Sequence, residues 1–437
     1  MTQTNRKPPF RLIGRMSFAA MATLAFTVAC TPAPHRMGEV SDTYFKLPFV
    51  RVMLSDDRTE IRVRGSGEIA IECQKNGERL VYYATRSARI QADDGQLLLL
   101  NKKGETIARD LSQVTTISRT RDKTLWIGDA PYRGVARVLP NGDRITVINI
   151  LHIEDYLFGV VPLELAPAKD NDLEAIKAQA VAARTYTMSK LNQYLDKPFD
   201  LRSDVTDQLY QGMAAEIRFV SEAVLATSGV VERYDNKFID AYYHSTCGGA
   251  TDCIENVWPK PARPYLVGVS CEEMCAISKY YRWAETFTGA TIAERVSAYE
   301  SATRGEKALY RRVSEFFTRT DSVTCQSPGL RTQTLLVVAD GDTLRFAKDR
   351  IRWVLGRPSD PNKILLSDYF TISDLTRDNS GDIFSVTLEG KGWGHGVGLC
   401  QMGALGMSRS RRPDGKPYTY KDILEHYYTG ATLERMY

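Results

Sequence analysis

The sequence predicts an α+β fold in two or three domains, and three observations carry that expectation. The chain is 437 residues long, more than one ordinary hydrophobic core accommodates. From Val50 to about Ser118, apolar and polar residues alternate with period two, broken by Gly, Asn and Asp about every eight to twelve residues. From Leu173 the period changes to that of a helix. The composition, 43% hydrophobic, 25% charged and 10% aromatic, excludes a disordered chain, a collagen-like fibre and a polytopic membrane protein.

The first element is a leader. Arg6, Lys7, Arg11 and Arg15 precede an apolar run of 14 residues, Met16 to Ala29, too short to span a bilayer stably and shaped as a signal peptide. Small residues before Cys30 resemble a bacterial lipobox, with Thr27 where Leu is usual. Residues 1–29 are thus expected to be a lipoprotein-type signal peptide, Cys30 the lipidated mature N-terminus in a membrane, and 30–47 a linker. A plain secretory cleavage or an uncleaved anchor is the alternative, and all three place the chain outside the cytoplasm, in the cell envelope. In an organism with two membranes it would be periplasmic, and Thr31, where Asp commonly retains a lipoprotein at the inner membrane, favours the outer one. The leader's four cations account for the formal charge of +4. Without them 53 basic residues face 53 acidic ones, which argues against a nucleic-acid partner.

Residues 48–120 read as an antiparallel β-rich region, through the runs VRVML, EIRVRG, EIAIEC, RLVYYA, ARIQA, QLLLL and ETIARDL. TLWIG, YRGVARVLP and DRITVINIL continue the pattern, with Asn141–Gly142 as a hairpin turn. Residues 121–437 are expected to form a mixed domain around a long core helix. Asn171 and Glu174 have the spacing of a capping box, and Leu173, Ile176, Ala180, Ala183, Thr187 and Leu191 mark the buried face of a helix reaching about Tyr194. A second helix, about Ala214 to Thr227, stops at Gly229. Strand-like residues 231–244 follow, then a helical, charged stretch at 280–317 and β-like residues at 331–356. Strands at 365–390 lead into a glycine-rich segment, and the last helix is Tyr420 to Tyr428. A helical and β insertion is expected at about 276–360.

Seven cysteines lie beyond the leader. Cys73, Cys325 and Cys400 are isolated and read as small buried hydrophobes. Cys247, Cys253, Cys271 and Cys275 fall within 29 residues, with His244 just upstream. Two disulfides or a zinc site from His244, Cys247 and Cys253, completed by Cys271 or Cys275, both fit that pattern.

Three segments carry more chemistry than a fold requires. In the first, NILHIEDYLFGVVPLELAP, Glu164 is a lone carboxylate in an apolar run; apolar walls hold a carboxyl protonated, which suits a general acid. Glu154 and Asp155 are the other acids nearby, and the run leads on to KAQAVAARTY at 177–186. The second, AYYHSTCGGATDC at 241–253, is a polar turn after a strand. The third, GWGHGVGLCQMGA at 392–404, has five glycines in 13 residues, with His395 and Gln401 able to face a ligand. No βαβ unit flanks it, so a nucleotide site is rejected.

Together these segments resemble the SpoIID/LytB family of stage II sporulation protein D and amidase-enhancer proteins. The resemblance rests on EDYLFGVVPLE ending at Glu164, KAQAVAARTY at 177–186, DVTDQLYQG at 204–212, HSTCGG at 244–249, GWGHGVG at 392–398 and ILEHYYTG at 423–430. It covers about residues 48–437. Leu165, Cys400 and Met402 stand where Met, Ser and Tyr are usual. The resemblance implies a SpoIID-like fold and a peptidoglycan lytic transglycosylase that acts on peptide-stripped glycan strands, with Glu164 as its catalytic acid and base. Lys177, Gln179 and Arg184 would support Glu164 or the sugar, with a structural role as the alternative for Gln179 and Arg184; His395 and Gln401 would line the groove. No cofactor would be required for catalysis. A structural zinc at His244, Cys247 and Cys253 is implied because some members carry one there. Competing readings are a non-catalytic, wall-binding enhancer of a peptidoglycan amidase and a two-carboxylate muramidase pairing Glu164 with Glu154 or Asp155.

Overall fold

The computed structural model describes residues 10–12, 48–84, 86–120, 124–165, 168–320, 325, 327–360 and 362–437. Cys30, the linker up to residue 47 and all of the leader except Phe10–Leu12 lie outside them. Among the described residues no helix is long and apolar enough to cross a membrane. The chain divides into two compact units, one of Met1–Glu164, Lys190–Ile217 and Met436–Tyr437, the other of Leu165–Ser189 and Arg218–Arg435. The fold is α+β, as expected.

In the first unit an eight-stranded sheet runs in the order Phe10–Leu12, Glu78–Ala84, Ile69–Lys75, Gln113–Ser118, Val135–Asn141, Arg144–His152, Phe49–Arg58, Leu201–Arg202. A six-stranded sheet runs Ala130–Tyr132, Leu125–Ile127, Glu60–Gly65, Ser87–Asp93, Gln96–Leu100, Thr106–Leu111. Period-two alternation works as the sequence suggested: Ile69, Ile71 and Cys73 point inward from one strand and Leu97 and Leu99 from another. Burial pushes the Cys73 thiol up to about 12, so it behaves as a hydrophobe. The expected boundary at 120/121 is corrected. Gln113–Ser118 pairs with Val135–Asn141, and Glu60–Gly65 with Leu125–Ile127, so strands on both sides of residue 120 share their sheets.

Helix α1 (Ile153–Glu164) closes this unit's continuous run, and the sequence reading missed it. Pro162 argues against a helix in VVPLE, but it sits in the last turn. Ile153, Tyr156, Leu157, Val160 and Val161 recur three or four apart and are fully buried, and that burial outweighs the lost hydrogen bond.

In the second unit, helix α2 (Leu173–Lys190) is buried on all sides from Ala178 to Thr187, whereas Leu173 is 40% exposed. The single expected face was too narrow, because the alanines are small enough for neighbours to pack around the whole helix. The Asn171 capping box is also corrected. Asp172 is the last residue before the helix; its backbone carbonyl accepts from Ile176 N, and its carboxylate takes both Arg409 Nε and Nη2 at 2.7 Å. Glu174 instead accepts from Lys177 Nζ at 2.6 Å and Tyr420 N at 2.7 Å.

The stretch expected as an insertion at 276–360 has its own core, but that core extends past residue 360. Trp283–Thr288, Ile383–Gly390 and Phe370–Arg377 form one sheet, and Val313–Arg319, Thr334–Ala339 and Asp342–Ala347 another. Phe287, Val296, Phe316, Val337 and Leu388 share one cluster. The helix here is Gly289–Arg304, shorter than the expected 280–317, N-capped by Thr288 and ended by Gly305.

Candidate active site

Glu164 is the last residue of α1, half-buried, with its Oε1 accepting from Leu209 N at 2.8 Å. The helix C-terminus carries partial negative charge, and the Leu209 N–H offsets some of it at that carboxylate. The DVTDQLYQG motif builds the loop that supplies this donor. Asp204 Oδ1 accepts from Thr206 N at 2.8 Å and Asp207 Oδ2 from Arg202 N at 2.9 Å, which fixes the turn. Gln208, fully buried, accepts from the Tyr156 hydroxyl of α1 at 3.2 Å, and Tyr210 donates to Asn149 Oδ1 at 2.8 Å. Gly159 lets the loop lie on the helix: a Cβ there would meet Tyr210 Cε2 at 2.7 Å and Gly212 O at 2.8 Å. Glu164 is thus held at a helix end by a loop locked to the same helix.

The second unit interleaves the other two motifs. Tyr243–His244 pairs in parallel with Leu399–Cys400, and Thr246 and Trp393 exchange both backbone hydrogen bonds. Gly392, Gly394, Gly396 and Gly398 all have positive φ. At Gly396 a Cβ would sit 2.1 Å from Arg331 Nη2, so the turn passes directly over that guanidinium. Arg331 pairs with Asp368 at 2.6 Å, both side chains fully buried, and also reaches Cys247 O at 3.5 Å.

Residues 141–234 match the SpoIID family model, described as stage II sporulation protein. The chain is 30% identical over 296 residues to Stage II sporulation protein D of Bacillus subtilis (strain 168), covering 64% of this chain and 74% of that protein. The chain belongs to the SpoIID family. An uncharacterized protein of Brachyspira hyodysenteriae is 33% identical over 303 residues, 69% of this chain and 72% of its own length. The Amidase enhancer of Bacillus subtilis (strain 168) is 29% identical over 304 residues, of which this chain covers 40%. Residues 274–398 match a domain of unknown function.

In this SpoIID-family chain the expected site residues separate by unit and by burial. Glu164 and its loop lie in the first unit, and Lys177, Gln179, Arg184, His395 and Gln401 in the second. Lys177 is half-buried in its pair with Glu174. Arg184 is fully buried and donates to Val230 O at 3.0 Å and Val224 O at 3.3 Å, bonds of the kind its structural alternative requires. Gln179 is also fully buried, and neither of its amide atoms is hydrogen-bonded among the described residues. His395 Nδ1 accepts from Val397 N at 3.1 Å and Nε2 donates to Tyr243 O at 3.0 Å, fixing the neutral tautomer. Burial pushes His395 down to about 3. With both nitrogens bound to backbone it pins the turn and offers a ligand only its ring, whose centroid lies 4.7 Å from that of Trp258 at a tilt of 46°. Gln401, 5% exposed, is the first residue of the helix Gln401–Ser408.

The zinc set His244, Cys247 and Cys253 does not fit. Cys253 is in a disulfide with Cys325, whose reading as an isolated hydrophobe is corrected with it. His244, buried, bonds through Nδ1 to Val397 O at 3.2 Å. Cys400 is likewise not isolated: its sulfur lies with those of Cys247, Cys271 and Cys275. Sequence reasoning also missed Arg331 and Asp368, which lie 37 residues apart in segments without a motif.

Proposed function

We propose that this SpoIID-family chain is a peptidoglycan lytic transglycosylase, cutting between N-acetylmuramic acid and N-acetylglucosamine in peptide-stripped strands and leaving 1,6-anhydro ends. The observation that carries this reading is Glu164, one carboxyl group at a helix end with Oε1 held by Leu209 N. The chemistry needs only one such group. Protonated Glu164 gives its proton to the glycosidic oxygen as the C1–O bond breaks. The carboxylate then takes the proton of the muramic 6-hydroxyl, whose oxygen closes on C1, so no water is consumed and Glu164 ends protonated. A lipid anchor at Cys30 would keep the enzyme facing the wall.

The two-carboxylate reading loses support from helix geometry. Glu154 and Asp155 open the helix that Glu164 ends, so a rise of about 1.5 Å per residue puts them roughly 14–15 Å away along the axis. Paired carboxylates in hydrolases stand about 5–9.5 Å apart. Glu154 is also engaged by the Tyr437 hydroxyl at 2.6 Å. A second reading, a wall-binding protein that stimulates an amidase, is favoured by the similarity to the Amidase enhancer.

The test is mass spectrometry of peptide-free glycan strands incubated with residues 31–437 and with Glu164→Gln. Anhydro-muramic ends that drop about 10²–10⁴-fold in rate with the variant support the proposal. Reducing ends would indicate a hydrolase, and intact strands that co-sediment with the protein would indicate the binding role.

A further inference from the structure

Four buried cysteine sulfurs meet in the second unit at a place the glycan chemistry does not use. Cys247, Cys271, Cys275 and Cys400 are each at most 2% exposed, and their sulfurs all lie within 4.8 Å of one another. Cys247 and Cys275 sulfurs are 3.5 Å apart. A tetrahedral ion with metal–sulfur bonds of about 2.3 Å places its sulfurs roughly 3.8 Å apart. A disulfide needs about 2.05 Å. The four cysteines are unbonded to one another, although Cys253 and Cys325 are joined.

We infer that Cys247, Cys271, Cys275 and Cys400 are the four ligands of a structural zinc ion, distinct from the His244–Cys247–Cys253 set expected from the sequence. The surroundings suit thiolates. Cys400 Sγ accepts from Cys247 N at 3.2 Å and Gly403 N at 3.3 Å, and the Tyr427 hydroxyl lies 3.1 Å from Cys271 Sγ. Such donors to ligating sulfur stabilise its charge and fix its direction. Two glycines make room. A Cβ on Gly403 would meet Tyr427 Oη at 2.1 Å and Cys271 Sγ at 2.6 Å, and one on Gly406 would meet Met274 O at 1.8 Å. The helix Gln401–Ser408 therefore presents a bare face, and the Cys271–Cys275 turn lies directly on it. Four sulfurs with no oxygen or nitrogen donor select a thiophilic, tetrahedral ion, zinc before magnesium or calcium.

Binding consists of four Zn–S bonds formed as the thiols release their protons to solvent, with no change in oxidation state. The ion would tie the HSTCGG turn, the 271–275 turn and the glycine-rich segment through Cys400, cross-linking the two interleaved motifs at one point. It closes the coordination shell with protein alone, which marks a structural rather than a catalytic metal.

The test uses the full chain purified without chelator, and its readouts do not involve glycan cleavage. Elemental analysis is expected to give about one zinc per chain. Exchange for cobalt(II) should produce the sulfur-to-metal charge-transfer absorption of a tetrahedral thiolate site. Cys400→Ser and Cys271→Ser should each lose most of the metal, while Cys253→Ser keeps it. Because a ligand variant can fail to fold, the unmutated chain is also titrated with a strong chelator, which should lower its melting temperature and expose four thiols to a thiol reagent. Metal-free protein whose mass shows two disulfides among these four cysteines would overturn the assignment. So would zinc retained in full by both Cys400→Ser and Cys271→Ser.

Discussion

Replacing Gly159 by Ala sets two effects against each other at the helix that carries Glu164. In an exposed helix interior the change stabilises by about 1 kcal/mol, because glycine has the larger backbone entropy to lose. Here the new methyl would lie 2.7 and 3.0 Å from two Tyr210 ring carbons and 2.8 Å from Gly212 O. Tyr210 cannot swing aside: it is 4% exposed, its ring packs 4.9 Å from Tyr156, and its hydroxyl is tied to Asn149. Overpacking of this kind costs about 1–3 kcal/mol, so the net change is a loss of about 1 kcal/mol. The strain is relieved by moving the 210–212 backbone off the helix, and Leu209 N moves with it. Misplacement of the Glu164 donor by a fraction of an ångström should then lower turnover on glycan strands about 10–100-fold. Urea unfolding and anhydro-end release measure the two effects separately. A Gly159→Ala chain that is about 1 kcal/mol more stable and turns over as before would refute the reasoning.

Three further outcomes are expected. Arg331→Met leaves Asp368 buried without its partner and should cost about 3–5 kcal/mol by urea unfolding, much of it recovered in Arg331→Met/Asp368→Leu. For Asp172, burial raises the carboxyl, but the Arg409 fork and Lys169 N–H lower it more, so it sits below its ordinary value. Its contribution is present above the unfolded value near 3.8 and is lost as pH falls through the lower folded value. Arg409→Met should remove that acid-side component and cost about 2–3 kcal/mol at neutral pH, less than a fully buried pair because Arg409 still meets water. His395, depressed by burial from 6.5 to about 3, favours the fold fully above pH 6.5, and that contribution falls away as pH drops towards 3. His395→Gln should flatten the limb in a stability–pH series.

The sheets were legible because inward and outward residues alternate along strands such as Ile69–Lys75, and the α2 segment because alanine-rich helical spacing is distinctive. Helix α1 was not, since Pro162 argues against the helix that the spacing of its buried residues supports. The length of the 283–390 core was hidden because its strands pair far apart in sequence, as Trp283 does with Gly390. At the candidate site, Glu164 was legible as the acid and DVTDQLYQG only as a motif of the family; that its Leu209 N is the donor to Glu164 was not. Arg184, His395 and Gln179 have the polarity of ligand residues, and only packing shows that backbone or core encloses them.

By itself the sequence determined the α+β class, the family and the one glutamate proposed to act, because these depend on local period and on motif spelling. The tertiary structure alone decided which cysteines meet. Cys253 finds Cys325 across 72 residues, and Cys400 comes to within 4.8 Å of Cys247, Cys271 and Cys275 from 125 residues or more away in sequence. Pairing among thiols is set by where folded backbones bring their sulfurs, and spacing along the chain does not encode that.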